Sequence, residues 1–151
     1  EIVARAWVDQ DFKARLLEDA NQTIRDFGIE VDVLKMVVLE NTSDLHHVVV
    51  CTLCSCYPRP ILGVPPLWYK SKQYRSRVVR EPRAVLNEFG TSLTEDTEVR
   101  VVDSTADCRY LVIPVRPSGT ENMIEQELAK LVTRDSMIGT AQALDPLGLR
   151  S

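Results

Sequence analysis

A mixed α+β domain is predicted by three features of this sequence: helix-period stretches towards both ends, β-branched runs of four to six residues, and polar or glycine-containing turns between them. At 151 residues the chain has the length of one domain and can bury a core without staples. From Glu1 to Phe27 the apolar residues Phe12, Leu16, Leu17, Ala20, Ile24 and Phe27 recur at helical spacing, and Gly28 is a natural stop. Asp9 or Asp11 is suited to cap that helix, and Trp7 reads as a packing anchor. Met36–Glu40 and His47–Val50 read as two strands joined by the polar turn Asn41-Thr42-Ser43-Asp44. Gln73 to Phe89 is a second helical region, interrupted at Pro82 and stopped by Gly90. Val99–Val102 and Tyr110–Val115 are two more strands, and Thr120 to Val132 reads as a third helix with Thr120 as its cap. The domain spans residues 1–143; the tail from Leu144 has no period and is expected to be disordered. There is no internal repeat and no low-complexity segment.

Hydrophobic content is 44%, no apolar run approaches membrane-spanning length, and no signal-like segment opens the sequence, so a soluble cytoplasmic protein with no membrane partner is expected. A formal charge of −4 argues against nucleic acid as a partner. Locally the balance reverses: Arg59, Lys70, Lys72, Arg75, Arg77, Arg80 and Arg83 meet only Glu81, with Trp68, Tyr69 and Tyr74 interleaved. A nucleic-acid surface has this composition, but a solvated or partner-facing helix is favoured because the rest of the chain is acidic. A third use is to stabilise anionic cysteine sulfurs nearby.

Three of the four cysteines fall in Cys51-Thr52-Leu53-Cys54-Ser55-Cys56, after a β-branched run and before Pro58 and Pro60. If the sulfurs of Cys54 and Cys56 bind one ion, the amide nitrogens of Ser55 and Cys56 lie between them. Ser55 N closes a six-membered ring with the Cys54 sulfur, the two nitrogens span a five-membered ring, and Cys56 N closes another with its own sulfur. A planar S-N-N-S set results. Cys51 can reach over that plane as an axial sulfur, leaving the opposite position open for water or substrate. Deprotonated peptide nitrogens call for a strongly Lewis-acidic trivalent ion such as cobalt(III) or iron(III) rather than zinc. The alternatives are a zinc site that borrows Cys108, His46 or His47, an iron–sulfur centre, or disulfides. Zinc sites usually pair two Cys-x-x-Cys turns, and only one such spacing exists here. The His46-His47 pair itself reads as surface turn residues, since nothing in the sequence orients either ring.

Val50-Cys51-Thr52-Leu53-Cys54-Ser55-Cys56-Tyr57 resembles the metal claw of the nitrile hydratase alpha chain. The likeness continues through Gly63-Val64-Pro65-Pro66-Leu67-Trp68-Tyr69-Lys70-Ser71, Tyr74–Arg83, Arg100–Thr105, Arg116–Glu121 and Val132–Gly139, running from about Val3 to Ala141. The resemblance implies a layered α/β/β/α fold and hydration of a nitrile to its amide. It also implies oxidation of Cys54 to sulfinic and Cys56 to sulfenic acid, with Cys51, Cys54, Ser55 and Cys56 as metal ligands. Cys56, Ser55 and Arg59 are the expected catalytic residues, the sulfenate oxygen of Cys56 serving as nucleophile or base. Thr52 and Tyr57 resemble the cobalt form, so cobalt(III) is expected, with iron(III) as the alternative. A beta-type partner subunit, as one chain or split in two, is implied, as is a metal-insertion activator protein. Members of the family usually carry a helical arm ahead of the residues matched here, so a preceding N-terminal piece is expected. Asp107 and Arg109 are implied in a network around the claw and its interface, while Cys108 reads as a small apolar packer. A glutamine that often lies near the metal is not carried over, since the region reads Val31-Asp32-Val33-Leu34-Lys35.

Arg59 departs from the many nitrile hydratases with Trp at that place. The run from Cys56 to Gly63 instead resembles the gamma chain of thiocyanate hydrolase, whose substrate is an anion; Gly63–Pro66 and Thr133–Ser136 stay close to the hydratase pattern.

Overall fold

The computed structural model describes residues 1–31, 34–53 and 56–146. Its centre is two two-stranded parallel sheets. One pairs β1 (Lys35–Glu40) with β4 (Cys108–Ile113), and the other pairs β2 (Leu45–Val50) with β3 (Glu98–Asp103). The Asn41–Asp44 turn therefore carries the chain from one sheet to the other and does not close a paired hairpin. β4 faces both cores with the period of two expected of a strand: Leu111 and Ile113 pack in one, Val112 and Tyr110 in the other. Helices cover the outer faces. α1 (Ile2–Val8), α2 (Gln10–Glu18) and α3 (Ala20–Asp26) lie over the β1–β4 sheet with α8 (Glu125–Ala129) against α1. On the other side, α5 (Leu67–Lys70), α6 (Lys72–Arg80) and α7 (Pro82–Glu88) build the second core with β2. The layering is α/β/β/α, as the resemblance implies.

The N-terminal apolar stripe is real, but three helices carry it where one was expected. Asp9 Oδ1 accepts from Phe12 N at 3.0 Å and Asp19 Oδ1 from Gln22 N at 3.2 Å. Each carboxylate caps a new helix and breaks the stripe into three segments that pack on the β1–β4 core. Trp7 is the anchor expected of it, buried with Nε1 donating to Pro114 O at 2.9 Å. The expected Thr120–Val132 helix shrinks to α8. Thr120 does not cap it, because its hydroxyl donates to Pro117 O at 2.7 Å and accepts from Arg116 Nε at 2.9 Å. The proline-rich segment after the cysteines is more regular than its composition suggests. Single-turn helices α4 (Arg59–Leu62) and α5 form there, with Pro60 in the first turn of α4, where a missing N–H costs nothing. Pro82 opens α7, and Gly90 ends it at φ 87°, as expected. Leu144 N donates to Leu131 O at 2.8 Å; residues 147–151 of the expected tail lie outside the described residues.

His46 and His47 overturn the surface-turn expectation: both are buried, on β2. His46 Nε2 lies 2.7 Å from Gly139 O and its Nδ1 3.1 Å from Asn41 Nδ2, so Nε2 carries the proton and Nδ1 accepts. Asn41 Oδ1 accepts from His47 N at 2.8 Å and from His47 Nδ1 at 2.9 Å, which gives His47 the other tautomer. Gly139, at φ 83°, lies so close to this strand that a Cβ there would sit 1.9 Å from His47 O. Both histidines are held below the usual imidazole value of 6.5. Burial is the main cause for each; at His47, Arg100 and His46 add to it and Glu98 opposes it.

Two predictions follow from this strand. Gly139→Ala combines the clash with a left-handed backbone and should destabilise the fold by about 2 kcal/mol or more in urea denaturation; a loss under about 0.5 kcal/mol would contradict the packing. The unfolded chain takes up histidine protons near 6.5 while the folded chain resists them. Histidine-linked stability is therefore complete above that pH and is lost as pH falls below it. Denaturation series at successive pH values should show a shallower acid loss for His46→Gln/His47→Gln than for the wild type, and parallel curves would refute it.

Candidate metal centre

β2 ends at Val50, and its three valines, 48 to 50, are fully buried, so the strand delivers the next residue, Cys51, into the interior. Cys51 is 1% exposed and Cys56 6%. The expected ligands Cys54 and Ser55 lie outside the described residues. The frame around them can be traced on both flanks. On the N-terminal side, Asp103 at the end of β3 accepts from Thr52 N at 2.9 Å and from the Thr52 hydroxyl at 2.6 Å. Ser104 N donates to Val50 O at 2.7 Å, extending the ladder one step past the strands. On the C-terminal side, the Tyr69 hydroxyl donates to Cys56 O at 2.6 Å, and Arg109 Nη1 donates to Tyr57 O at 2.8 Å. Arg109 is in turn anchored by its Nε on Thr105 O at 2.9 Å. The chain is thus gripped at Thr52, Cys56 and Tyr57 by groups from β3, β4 and α5.

Aromatic packing stiffens the second flank. Tyr57 and Tyr69, both fully buried, meet edge-on with ring centroids 5.0 Å apart, and Tyr74 reaches Val49 O through its hydroxyl at 2.7 Å. Burial pushes the Tyr57 phenol up to about 12, with Arg134 lowering and Asp135 raising it. Tyr69 is raised as well, by burial first, then by Tyr74, Cys51, Cys56 and Tyr57. Both phenols therefore stay protonated, and Tyr69 remains a donor to the Cys56 carbonyl at neutral pH.

Of the other expected residues, Arg59 opens α4 with an exposed side chain, and its N–H donates to Tyr57 O at 2.7 Å. Among the described residues no three of His, Cys, Asp and Glu gather as a ligand group. His46 and His47 commit three of their four ring nitrogens to Asn41 and Gly139, which removes support for the zinc alternative that borrowed them. Among the described residues the Asp107 side chain makes no hydrogen bond to the loop; its carbonyl accepts from Lys35 N at 3.0 Å. Cys108 opens β4, half-buried. Asp103 and Tyr69 were missed as site residues. The parallel register that sets Asp103 beside Val50 would have identified the first, whereas nothing in the sequence marks which tyrosine reaches back to Cys56.

The donor chemistry fits a thiolate-bound ion: two cysteines screened from solvent at the two ends of a short loop, with main-chain atoms restrained on either side. No helix among the described residues is long and apolar enough to cross a membrane.

Comparison with known proteins bears on the same loop. The family described as nitrile hydratase, alpha chain, matches residues 1–141. The low-molecular weight cobalt-containing nitrile hydratase subunit alpha of Rhodococcus rhodochrous is 56% identical, over 97% of this chain and 71% of that protein. Thiocyanate hydrolase subunit gamma of Thiobacillus thioparus is 47% identical, over 93% of this chain and 63% of its own length. Among solved structures, a double mutant of the Fe-type nitrile hydratase from Comamonas testosteroni Ni1 superposes with a TM-score of 0.91 at 46% identity, over 96% of this chain and 71% of that one. A family match that takes in the cysteine loop, both strand pairs and the helices outside them makes this chain a member of the nitrile hydratase alpha-chain family.

Proposed function

We propose that residues 1–143 form the metal-binding domain of a nitrile hydratase alpha subunit, with Cys51, Cys54, Ser55 and Cys56 as ligands. The observation that carries this reading is the double restraint of the loop, by Asp103 on Thr52 and by Tyr69 and Arg109 on Cys56 and Tyr57. Restraint of this kind places ligand atoms before an ion arrives and lowers the entropic cost of organising them. When bound, cobalt(III), or iron(III) in its place, supplies Lewis acidity toward a nitrile or a water.

This chain's own residues do the rest. Tyr69 and Arg109 fix the main-chain carbonyls of Cys56 and Tyr57, and so the direction from which the Cys56 sulfur enters the site. With Cys54 as sulfinic and Cys56 as sulfenic acid, the Cys56 oxygen acts as nucleophile or base. Ser55 contributes its amide nitrogen between them. Arg59 stands exposed at the rim as a substrate-facing cation. The complex is cytoplasmic and is completed by a beta-type subunit and by an activator protein that loads the metal.

A second reading, the gamma subunit of a thiocyanate hydrolase, is favoured by one observation: the Arg59 guanidinium is exposed and makes no ion pair among the described residues, which suits an anionic substrate. Turnover of a nitrile and of thiocyanate by the assembled complex separates the two.

Two tests address the site. Cys51→Ala, Cys54→Ala and Cys56→Ala, each co-expressed with the beta-type subunit, should lose cobalt or iron by elemental analysis and all hydration activity. Mass spectrometry of the wild-type peptide should show two added oxygens at Cys54 and one at Cys56. Retention of metal and full turnover in any single variant would end the proposal. Tyr69→Phe removes one buried hydrogen bond and should cost about 1 kcal/mol of stability. It should also release metal to a chelator several-fold faster than the wild type, and equal release rates would show that the Cys56 carbonyl needs no holding.

A further inference from the structure

We propose that the face of α6 beside the cysteine loop is a docking groove for a carboxylate-bearing segment of the beta-type partner subunit. The inference rests on the preceding reading that such a subunit completes the site. Lys72, Arg75, Ser76, Val79 and Arg80 fall at i, i+3, i+4, i+7 and i+8, so they share one side of the helix. With Thr52 from the loop they line a groove of about 510 Å³. Thr52 thus belongs both to the gripped loop and to the groove wall, and anything seated there lies against the metal centre.

The charges on this helix divide by side. Arg77, outside the groove, is neutralised within the chain by Glu81 at 2.7 Å and by Glu88. Arg83, one turn beyond, is occupied by the carbonyls of Thr94 and Thr97. Lys72, Arg75 and Arg80 form no ion pair among the described residues, and Arg80 is held only by a 3.3 Å contact from its Nε to Ser76 O. Arg75 carries the second clue: its Nε is withdrawn from solvent and finds no acceptor among the described residues. An unsatisfied buried donor of this kind costs about 1–3 kcal/mol. A carboxylate that draws the guanidinium towards itself satisfies that donor in the forked geometry arginine prefers.

In a chain of net charge −4, three uncompensated cations along one helix face are complementary to an acidic segment. Val79, 50% exposed, adds apolar contact to the lining, and Leu53, the chain neighbour of Thr52, is 87% exposed. Cations at an edge with exposed aliphatic side chains between them are what a protein segment bearing carboxylates covers best.

The test uses the assembled complex of this chain with its co-expressed beta-type subunit. Zero-length carbodiimide coupling followed by peptide mass spectrometry should join Lys72 to an aspartate or glutamate of the partner. Arg75→Glu should weaken assembly at least about tenfold, and Lys72→Gln, at an exposed position, should weaken it less while flattening its salt dependence. Circular dichroism reports whether Arg75→Glu folds; if it does not, the wild-type cross-link decides. An active complex with no partner carboxylate coupled to Lys72, and with affinity of the folded variants within about twofold of the wild type, overturns the groove and leaves the proposed function standing. Failure of the wild-type chain to assemble with, or turn over beside, any beta-type subunit overturns both. Arg75-dependent binding of a single-stranded RNA oligonucleotide by the assembled complex, with assembly unchanged in the variants, replaces the partner segment with a nucleic acid and also overturns it.

Discussion

The parallel register of β2 with β3 is the constraint from which the site is built. It sets Val50 opposite Asp103, so the residue that ends one strand stands beside the residue that ends the other. Past that point neither chain has a ladder to follow, yet both remain tied. Ser104 donates back to Val50, and Asp103 takes the main-chain and hydroxyl protons of Thr52. A shift of the register by one residue would turn Asp103 to the opposite face and leave Thr52 without its acceptor. The same register seats Val48, Val49 and Val50, all fully buried, in the second core. Hydrophobic burial of a valine strand therefore fixes the polar geometry of the loop.

The second flank is held by elements remote in sequence. β4 begins a few residues after β3 but pairs in the other sheet, so Arg109, near its start, reaches across to Tyr57 O from a frame braced by β1. Tyr69 comes from the layer on the far side, brought close by the proline-bounded turns α4 and α5. The loop thus lies where three separately stabilised parts of the fold meet. Loss of any one grip leaves the others, which suits a site that must keep its shape without a bound ion.

What could be read from the sequence divides along the range of the interactions. Strands β1 to β4 and the α6–α7 break at Pro82 are signalled by neighbours, through β-branching and proline, and they appear where expected. His46 and His47 were misplaced because their orientation depends on Gly139, 93 residues away from His46, and on an asparagine across the turn. Two imidazoles on a strand look exposed until those partners are known. The single N-terminal helix failed for the opposite reason. Asp9 and Asp19 were visible, but whether a short carboxylate caps a new helix or decorates an existing one depends on the sheet that the helices must follow.

The proposed site separates holding the ion from choosing the substrate. The groups that grip Thr52, Cys56 and Tyr57 are the Asp103 carboxylate, the buried Tyr69 phenol and the Arg109 guanidinium, none of which need face a substrate. The groups that face outward are different ones: Arg59 at the head of α4, Leu53 on the loop, and Lys72, Arg75 and Arg80 along α6. Arg59 at the head of α4 brings a charge without its side chain taking part in any of the hydrogen bonds that hold Thr52, Cys56 and Tyr57. On the proposed reading, members acting on a neutral nitrile and on an anion keep one strand register and one restrained loop, and side chains standing outside that frame, with whatever surface closes over them, set substrate preference.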